Sequence, residues 1–415
     1  MTRTLAEAVD TVFAAATALD AEEIALERAS RRVLAERVVS RVELPPWNNA
    51  GMDGYAVRAA DIRDATAGSP VALRVLETVR AGTFPTHLVA AGTAVRIMTG
   101  APVPQGADSV VRVEDTDGGV ERVHIRDARD VSRNIRPRGE DLRIGDDVLA
   151  AGAEIAPWAL GALAAAGAST VQVHRRPRVA VLGSGDELVG LDRLGEAVSG
   201  TRIIASNGYA LEAMAREAGA EVVSLGIVPD DAGALADAME RARGCDLLLT
   251  TGGVSVGAFD FAREAFERLG GRVVFWRVRV RPGAQLMFGT LGPLSWLGLP
   301  GNPASAVVTF EVFARPMIRR MLGHARAFRS LSTVTLAEPV TTNGGSTFFL
   351  RACVEERIAR LSGGQGSHVQ SAIARANALL IVPEGVSRLA PGDKARVLPL
   401  DSADWSASSP WAAPA

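Results

Sequence analysis

Lysine is almost absent from this chain: of its 45 basic residues only Lys394 is a lysine, so 44 are arginines. Cysteine and histidine are nearly as scarce, with Cys245 and Cys353 and the scattered His87, His124, His174, His324 and His368. No CxxC, HExxH or other ligand cluster arises, which argues against a zinc or thiol enzyme and fits a reducing compartment. Cys245 precedes the apolar run 246–250 and reads as a buried strand cysteine. Net charge is also lacking: −2 overall gives no global attraction to nucleic acid or an anionic membrane, so any basic site must be local. The amino terminus lacks the apolar centre of a signal peptide, and Thr4-x-x-Glu7 reads instead as a helix capping box. The longest uncharged stretch, residues 155–173, is Ala/Gly-rich, carries Pro157 and is shorter than a span of about 20 residues. A short buried helix running into a strand accounts for it, so no membrane span and a cytoplasmic location are expected.

What is present is a globular composition. Apolar residues make up 47% and charged residues 22% of 415, with 42 Gly and 21 Pro. At about 150 residues per domain, this length predicts two to four domains. Residues 4–19 place Leu5, Val9, Val12 and Phe13 on one helical face, and 21–38 read as a second helix. Residues 43–57 hold two prolines and two glycines and form an ordered loop or linker. From 55 to 142, short β-branched runs (71–79, 94–98, 109–114, 120–125) between Gly, Pro and Asp turns predict a small β-rich domain.

Beyond residue 178 the period changes. Strands are predicted at 178–182, 221–228, 246–250, 273–280 and 295–299, alternating with helices at 207–217, 231–243, 260–269 and 304–321. Such alternation predicts a largely parallel sheet covered by helices, with ligands at the carboxyl ends of its strands. After Gly323, runs at 331–336, 347–354, 378–382 and 394–399 suggest a closing β-barrel, and residues 401–415 a frayed tail.

Three Gly-rich loops follow strands of the α/β segment: Gly183-Ser-Gly-Asp-Glu, Thr251-Gly-Gly-Val-Ser-Val-Gly and Leu299-Pro-Gly-Asn-Pro. Glycine lets a ligand approach the backbone, and three such loops on one sheet edge point to a phosphorylated or otherwise anionic ligand. None has the Walker pattern or the third glycine of a dinucleotide fingerprint. A second constellation is acidic: Asp53, Glu140-Asp141, Glu187, Asp230-Asp231 and Asp260. Each also suits an ordinary cap, Asp230-Asp231 most of all, but convergence of several would suit Mg²⁺. A third is basic: Arg277, Arg279 and Arg281 alternate along one predicted strand and share a face, which calls for an anion or acidic partner, or else marks a solvated edge.

In order, Asn49-Ala-Gly-Met-Asp-Gly-Tyr-Ala, Arg96-Ile-Met-Thr-Gly-Ala-Pro-Val-Pro, Arg138-Gly-Glu-Asp, Gly183-Ser-Gly-Asp-Glu-Leu, Thr251-Gly-Gly-Val-Ser-Val-Gly and Gly298-Leu-Pro-Gly-Asn-Pro resemble the molybdopterin molybdenumtransferases. This is the MoeA and gephyrin E-domain family, and the likeness spans residues 4–400. It implies an α/β multidomain chain: a central three-layer α/β domain with a mostly parallel sheet (178–326), a small inserted β-rich domain (46–142), an elongated N-terminal linker domain (1–45 with 143–177), a C-terminal β-barrel (327–400) and a flexible tail (401–415). It implies a homodimer whose active site lies between the α/β domain of one subunit and the β-rich domain of the other. It also implies a reaction, in which adenylylated molybdopterin and molybdate give molybdenum cofactor and AMP with Mg²⁺.

Carried over by motif, Asp53, Asp141, Asp260, Glu187, Thr99 and Arg136 match catalytic positions, and Asp230 or Asp231 joins Asp260 and Glu187 as metal ligands. Gly252, Gly253, Ser255 and Arg277 match substrate-binding positions. Arg281, Pro282, Ser305, Arg351 and Ser371 resemble the molybdate pocket, with Pro300 and Pro303 shaping the loop beside it. The molybdopterin adenylyltransferase and apo-molybdoenzymes are the implied protein partners. Two departures stand out: arginines at 277 and 281 where the family commonly has lysines, and Asn48-Asn49-Ala-Gly where it has Asp-Asn-Ser-Ala. Charge is kept at 277 and 281, although a guanidinium is a planar fork and an ammonium a point charge. Two rival readings differ in kind. A scaffold that binds a partner protein is opposed by retention of the acidic positions, and an adenylyltransferase is opposed by the flanking β-domains.

Overall fold

The computed structural model describes residues 2–252, 258–401 and 404–411, with backbone only for Ala258–Asp260. Helix α1 (Leu5–Ala14) starts on the capping box, with Thr4 accepting from the Glu7 amide and Glu7 accepting from the Thr4 amide. Its buried face of Leu5, Val9 and Val12 packs into the α/β core, with Met317 and Met321, rather than with the segment that follows it. Residues 21–38 are not a helix. β1 (Ala21–Ala25) pairs antiparallel with β7 (Thr170–His174), and Val38–Val39 pairs with Asp147–Leu149. Ala, Glu, Leu and Arg there favour helix locally, but the strand partners from 147–174 override that preference. The helix within the uncharged stretch, α2 (Ala159–Ala165), is mostly exposed rather than buried, with Leu163 buried in the small core of Leu26, Leu34, Ile155 and Val173 and Leu160 half-buried against it.

The β-rich domain is a five-stranded sheet in the order β5-β2-β4-β3-β6, from β2 (Gly54–Val57), β3 (Val71–Val79), β4 (Thr93–Ile97), β5 (Ser109–Arg112) and β6 (Arg122–Ile125). The α/β domain runs β8 (Arg178–Ser184), α3 (Ser206–Glu217), β9 (Glu221–Val228), α4 (Ala232–Glu240), β10 (Leu247–Gly252), α5 (Ala258–Arg268), β11 (Arg272–Trp276), β12 (Met287–Leu291), β13 (Leu294–Leu299), α6 (Pro303–Thr309) and α7 (Arg315–Met321). Its sheet has the order β9-β8-β10-β13-β12-β11, the first four strands parallel. Alternate residues bury on opposite faces. Val179, Val181, Leu247 and Leu249 meet α3 and the α6–α7 segment, whereas Ala180, Leu182 and Leu248 meet α4 and α5. Helices on both faces make three layers.

The predicted strand 273–280 breaks at Trp276, because Arg277 takes φ +81, a left-handed conformation. Val280–Arg281 then pairs with the barrel. The three arginines therefore do not share one strand face: Arg277 stacks over Trp276 at 4.5 Å, Arg279 pairs with Glu384 at 3.1 Å, and Arg281 stands apart.

β14 (Ser332–Leu336), β15 (Thr347–Glu355), β16 (Ile358–Leu361), β17 (Ala378–Val382) and β18 (Lys394–Pro399) close a barrel in the order β15-β16-β14-β18-β17, with β17 returning to β15 and α8 (Gln370–Arg375) across one end. The tail is not frayed among its described residues. Trp405–Ser406 pairs with Phe328–Arg329, and the Trp405 ring lies 3.6 Å from the Arg319 guanidinium.

Candidate functional site

Strand register builds the first half of the site. In the parallel sheet Ser184 is level with Val228 on one side and Gly252 on the other, and Thr251 is level with Leu299. Chain order reverses between β8 and β10, so a crevice opens at the carboxyl ends where 184–187, 229–231, 252 and 300–303 emerge. Gly252 has φ +107, and a Cβ there would sit 1.8 Å from the Ser184 carbonyl oxygen, so only glycine fits. The crevice holds a cavity of about 760 Å³ whose walls include Glu187, Asn207, Gly252, Pro300, His368 and Gln370.

Asn207 ties the walls together, its Nδ2 donating to Thr251 Oγ1 at 2.9 Å and to the Gly301 carbonyl at 2.7 Å. Behind it, Trp296 Nε1 donates to Thr250 Oγ1 at 3.0 Å. Ser184 Oγ donates to Asp230, whereas Asp231 caps α4 by accepting from the Ala234 amide at 2.8 Å. The capping role expected of the acidic pair thus falls to Asp231, and Asp230 is the member turned toward Ser184.

The barrel supplies a second group. Arg351, on β15, is 1% exposed, and Nη2 donates to the carbonyls of Gly364 (3.2 Å) and Gly366 (3.0 Å). Its Nε and Nη1 are buried without a hydrogen-bond partner among the described residues. Burial alone depresses its pKa, no carboxylate being close enough to oppose it, yet a guanidinium stays charged. Arg281 lies on the strand paired to β15, Ser305 is buried in the first turn of α6, and Ser371 is exposed in the first turn of α8. Gly283, one residue after Pro282, faces α6, since its Cβ would meet Thr309 Cγ2 at 2.5 Å.

The third group sits in the β-rich domain. In Met52-Asp53-Gly54-Tyr55, Gly54 lies against β5, where a Cβ would come 1.8 Å from the Val111 oxygen, and buried Tyr55 donates to the Gly119 carbonyl at 2.9 Å. These two anchors leave Asp53 outside. Because Gly54 is level with Ile97, Asp53 meets the turn after β4, accepting from Thr99 N and Thr99 Oγ1 at 2.7 Å each. The amide bond and then the hydroxyl hold its carboxyl below the usual range, so it is ionised at neutral pH. Arg136 is level with Asn49, and Asp141 follows on the exposed loop whose amide bonds the Leu44 carbonyl at 2.9 Å. Asn48 Oδ1 accepts from the Arg138 amide at 2.8 Å, a bond a carboxylate would make equally.

Sequence reasoning therefore finds residues in three places. Glu187, Gly252, Pro300 and Pro303 share the cavity, whereas Asp230 follows the neighbouring strand and is held by Ser184. Arg281, Pro282, Ser305, Arg351 and Ser371 gather about the barrel. Asp53, Thr99, Arg136 and Asp141 belong to the β-rich domain, and no hydrogen bond or ion pair among the described residues joins residues 46–142 to 178–326. Gly253 and Ser255 lie outside the described residues, and of Asp260 only the helical backbone is described. The reading missed Asn207, His368 and Gln370. Their only signals are Ser206-Asn207 at a helix start and a Gly-rich run ahead of Ser367-His368.

A switch-point crevice walled by a barrel loop, with a buried guanidinium lacking a carboxylate beside that loop, has the shape and charge of an α/β site that suits small anionic ligands. The comparisons place it more narrowly. Residues 3–167 match the MoeA N-terminal region (domain I and II), 180–320 a probable molybdopterin binding domain, and 333–400 the MoeA C-terminal region (domain IV). The molybdopterin molybdenumtransferase 2 of Mycobacterium tuberculosis is 38% identical over 90% of this chain and 94% of its own, and the molybdopterin molybdenumtransferase of Nostoc sp. 34% over 92% and 89%. A crystal structure of a molybdopterin biosynthesis MoeA protein from Pyrococcus horikoshii superposes with a TM-score of 0.84 at 28% identity, covering 97% of this chain and all of that one. The chain belongs to the molybdopterin molybdenumtransferase family, transferases of molybdenum cofactor biosynthesis. No described helix is long and apolar enough to cross a membrane.

Proposed function

We propose that this chain inserts molybdenum into adenylylated molybdopterin, taking molybdate as substrate and releasing AMP. The observation that carries this reading is Arg351, a buried cation with two unpartnered nitrogens and no carboxylate, held against the loop that walls the cavity. A tetrahedral dianion supplies the missing acceptors, and Arg281, on the strand paired to β15, and Ser305, in the first turn of α6, are the further donors that the family resemblance assigns to it. The cavity takes the pterin nucleotide, its glycine-lined edge letting backbone amides approach phosphate. Neither substrate needs a protein thiol, consistent with Cys245, whose thiol is buried and pushed up by desolvation.

The donor set bears on Mg²⁺. Asp231 is used as a cap, and no three His, Cys, Asp or Glu among the described residues cluster as a metal site. Glu187 and Asp230 remain as hard oxygen donors at one strand edge, which fits a cation held by one or two carboxylates, waters and substrate phosphate. Bound there, Mg²⁺ would neutralise charge on the phosphates as AMP leaves. Asp53, fixed by two bonds from Thr99, is an ionised carboxylate presented on the β-rich domain. A second copy would bring it to the cavity: exposed Met52 precedes Asp53 in the chain, and exposed Ile203 and Tyr209 line the cavity. Exposed apolar side chains at both places suit a homodimer.

The test is AMP release from adenylylated molybdopterin by the full chain. Release is expected to require both molybdate and Mg²⁺, and Asp53→Asn to lower the rate by about 100-fold or more. Molybdate-independent release, or wild-type rates in Asp53→Asn, would overturn the assignment.

A further inference from the structure

Residues 363–370 join β16 to α8 and touch both halves of the ligand site. At one end, Arg351 Nη2 holds the Gly364 and Gly366 carbonyls, the Arg351 amide donates to Gln365 Oε1 at 2.9 Å, and Gln365 Nε2 donates to the Arg351 carbonyl at 3.1 Å. At the other end, the Ala304 amide donates to the Ser367 carbonyl at 3.0 Å, and Gln370 Nε2 donates to Ser206 Oγ at 3.0 Å. His368 and Gln370 line the cavity, while Gly363, Gly364 and Gly366 leave the run between the two ends with little intrinsic stiffness.

We infer that this loop couples the two ligands: an oxyanion on Arg351 stiffens residues 363–370 and raises the affinity of the cavity for the pterin, with Gln370 as the positioning residue at the far end. The inference rests on the functional reading above. The guanidinium is planar and hydrogen-bonded through Nη2 alone, so two of its nitrogens, Nε and Nη1, take no part in holding the loop. An anion that accepts from Nε or Nη1 adds a second fixed point and holds both carbonyls in place. Less conformational freedom then remains to be lost when the cavity fills, so each ligand favours the other, and by linkage the factor is the same in both directions.

The experiment titrates molybdopterin into the full chain by calorimetry with and without saturating molybdate, for wild type and Gln370→Ala, and follows amide exchange of residues 364–370. Molybdate alone is expected to slow that exchange in wild type and to tighten molybdopterin binding by about 5-fold or more. Gln370→Ala is expected to bring the ratio to near one while its unfolding midpoint stays unchanged, a result that general loosening of the fold does not produce. Independent binding of the two ligands in wild type overturns the inference and leaves the functional reading standing, as does full coupling in Gln370→Ala. Absence of molybdopterin or molybdate binding in wild type overturns both.

Discussion

Gly252→Ala tests whether strand register builds the cavity. The added Cβ would lie 1.8 Å from Ser184 O and 2.8 Å from Ser184 C, so β8 and β10 must part by more than an ångström or Gly252 must leave φ +107. A non-glycine residue in such a conformation costs about 1–3 kcal/mol, and loss of a backbone bond at the strand end adds about 1. A total of about 2–4 kcal/mol would lower the unfolding midpoint by about 4–16 °C, at roughly 2–4 °C per kcal/mol for a domain of this size. Gly244→Ala is the control. It shares the domain and a φ of +84, but its Cβ would meet only Arg178 Nη1 at 3.9 Å, so it carries the backbone cost without the overlap. Scanning calorimetry would give both midpoints, and titration with molybdopterin the cavity. Because Ser184 holds Asp230, displacement of β8 also predicts weakened binding in Gly252→Ala alone. Equal midpoints for the two variants, or wild-type affinity in Gly252→Ala, would refute the argument.

Two further predictions concern buried charge. Glu311, 4% exposed, accepts from Arg315 Nε (2.8 Å) and Nη2 (2.7 Å) and from Arg329 Nε (3.1 Å), while the other carboxylate near both arginines, Glu217, is 60% exposed and screened. Glu311→Ala should cost about 3–5 kcal/mol in chemical denaturation, and the apolar triple Glu311→Leu, Arg315→Met and Arg329→Met, which leaves neither buried guanidinium unpaired, should recover most of it; a loss below about 1 kcal/mol would contradict this. His324 is held near pKa 3 by burial and then by the Arg319 charge, so the folded protein keeps it neutral while the unfolded chain protonates near pH 6.5. Its contribution is therefore present above about 6.5 and is lost as pH falls toward 3, at up to about 1.4 kcal/mol per pH unit. Stability curves of wild type and His324→Gln should converge across that window, and parallel curves would exclude the assignment.

Much of the fold was legible because its signals are local. β3, β9, β17 and β18 fall on the predicted runs since β-branched residues there end at Gly, Pro or Asp turns. The failures are non-local. Residues 21–38 have a helical composition, and only a partner about 150 residues away makes Ala21–Ala25 a strand. Alternation through 273–281 hides a single left-handed residue, Arg277, that moves Arg279 and Arg281 toward the barrel. At the site, Asp53 was visible as an acid beside a glycine at a strand start, and Asp230 as one of an acidic pair opening a predicted helix. Asn207 and Gln370 were not, because a polar residue opening a helix looks the same whether it caps that helix or reaches across to another domain.

The arginine excess has a physical pattern that a net charge of −2 conceals. Arg315 and Arg329 are buried against Glu311, and Arg319 and Arg277 lie on the faces of Trp405 and Trp276. Stacking and forked pairing are guanidinium properties that lysine does not reproduce, so at these positions arginine is required by the packing rather than tolerated. Arg351 is the contrast. It is as deeply buried, yet it has carbonyls for partners and no carboxylate, which leaves its charge desolvated without an opposing one. An uncompensated buried cation destabilises the ligand-free fold, and that cost is offset only when something anionic arrives. The same energetics that make Arg315 and Arg329 structural therefore favour an anion at Arg351, as the proposed function requires, the difference being the carboxylates, Glu311 and Glu217, that the fold places beside the first two and withholds from the third.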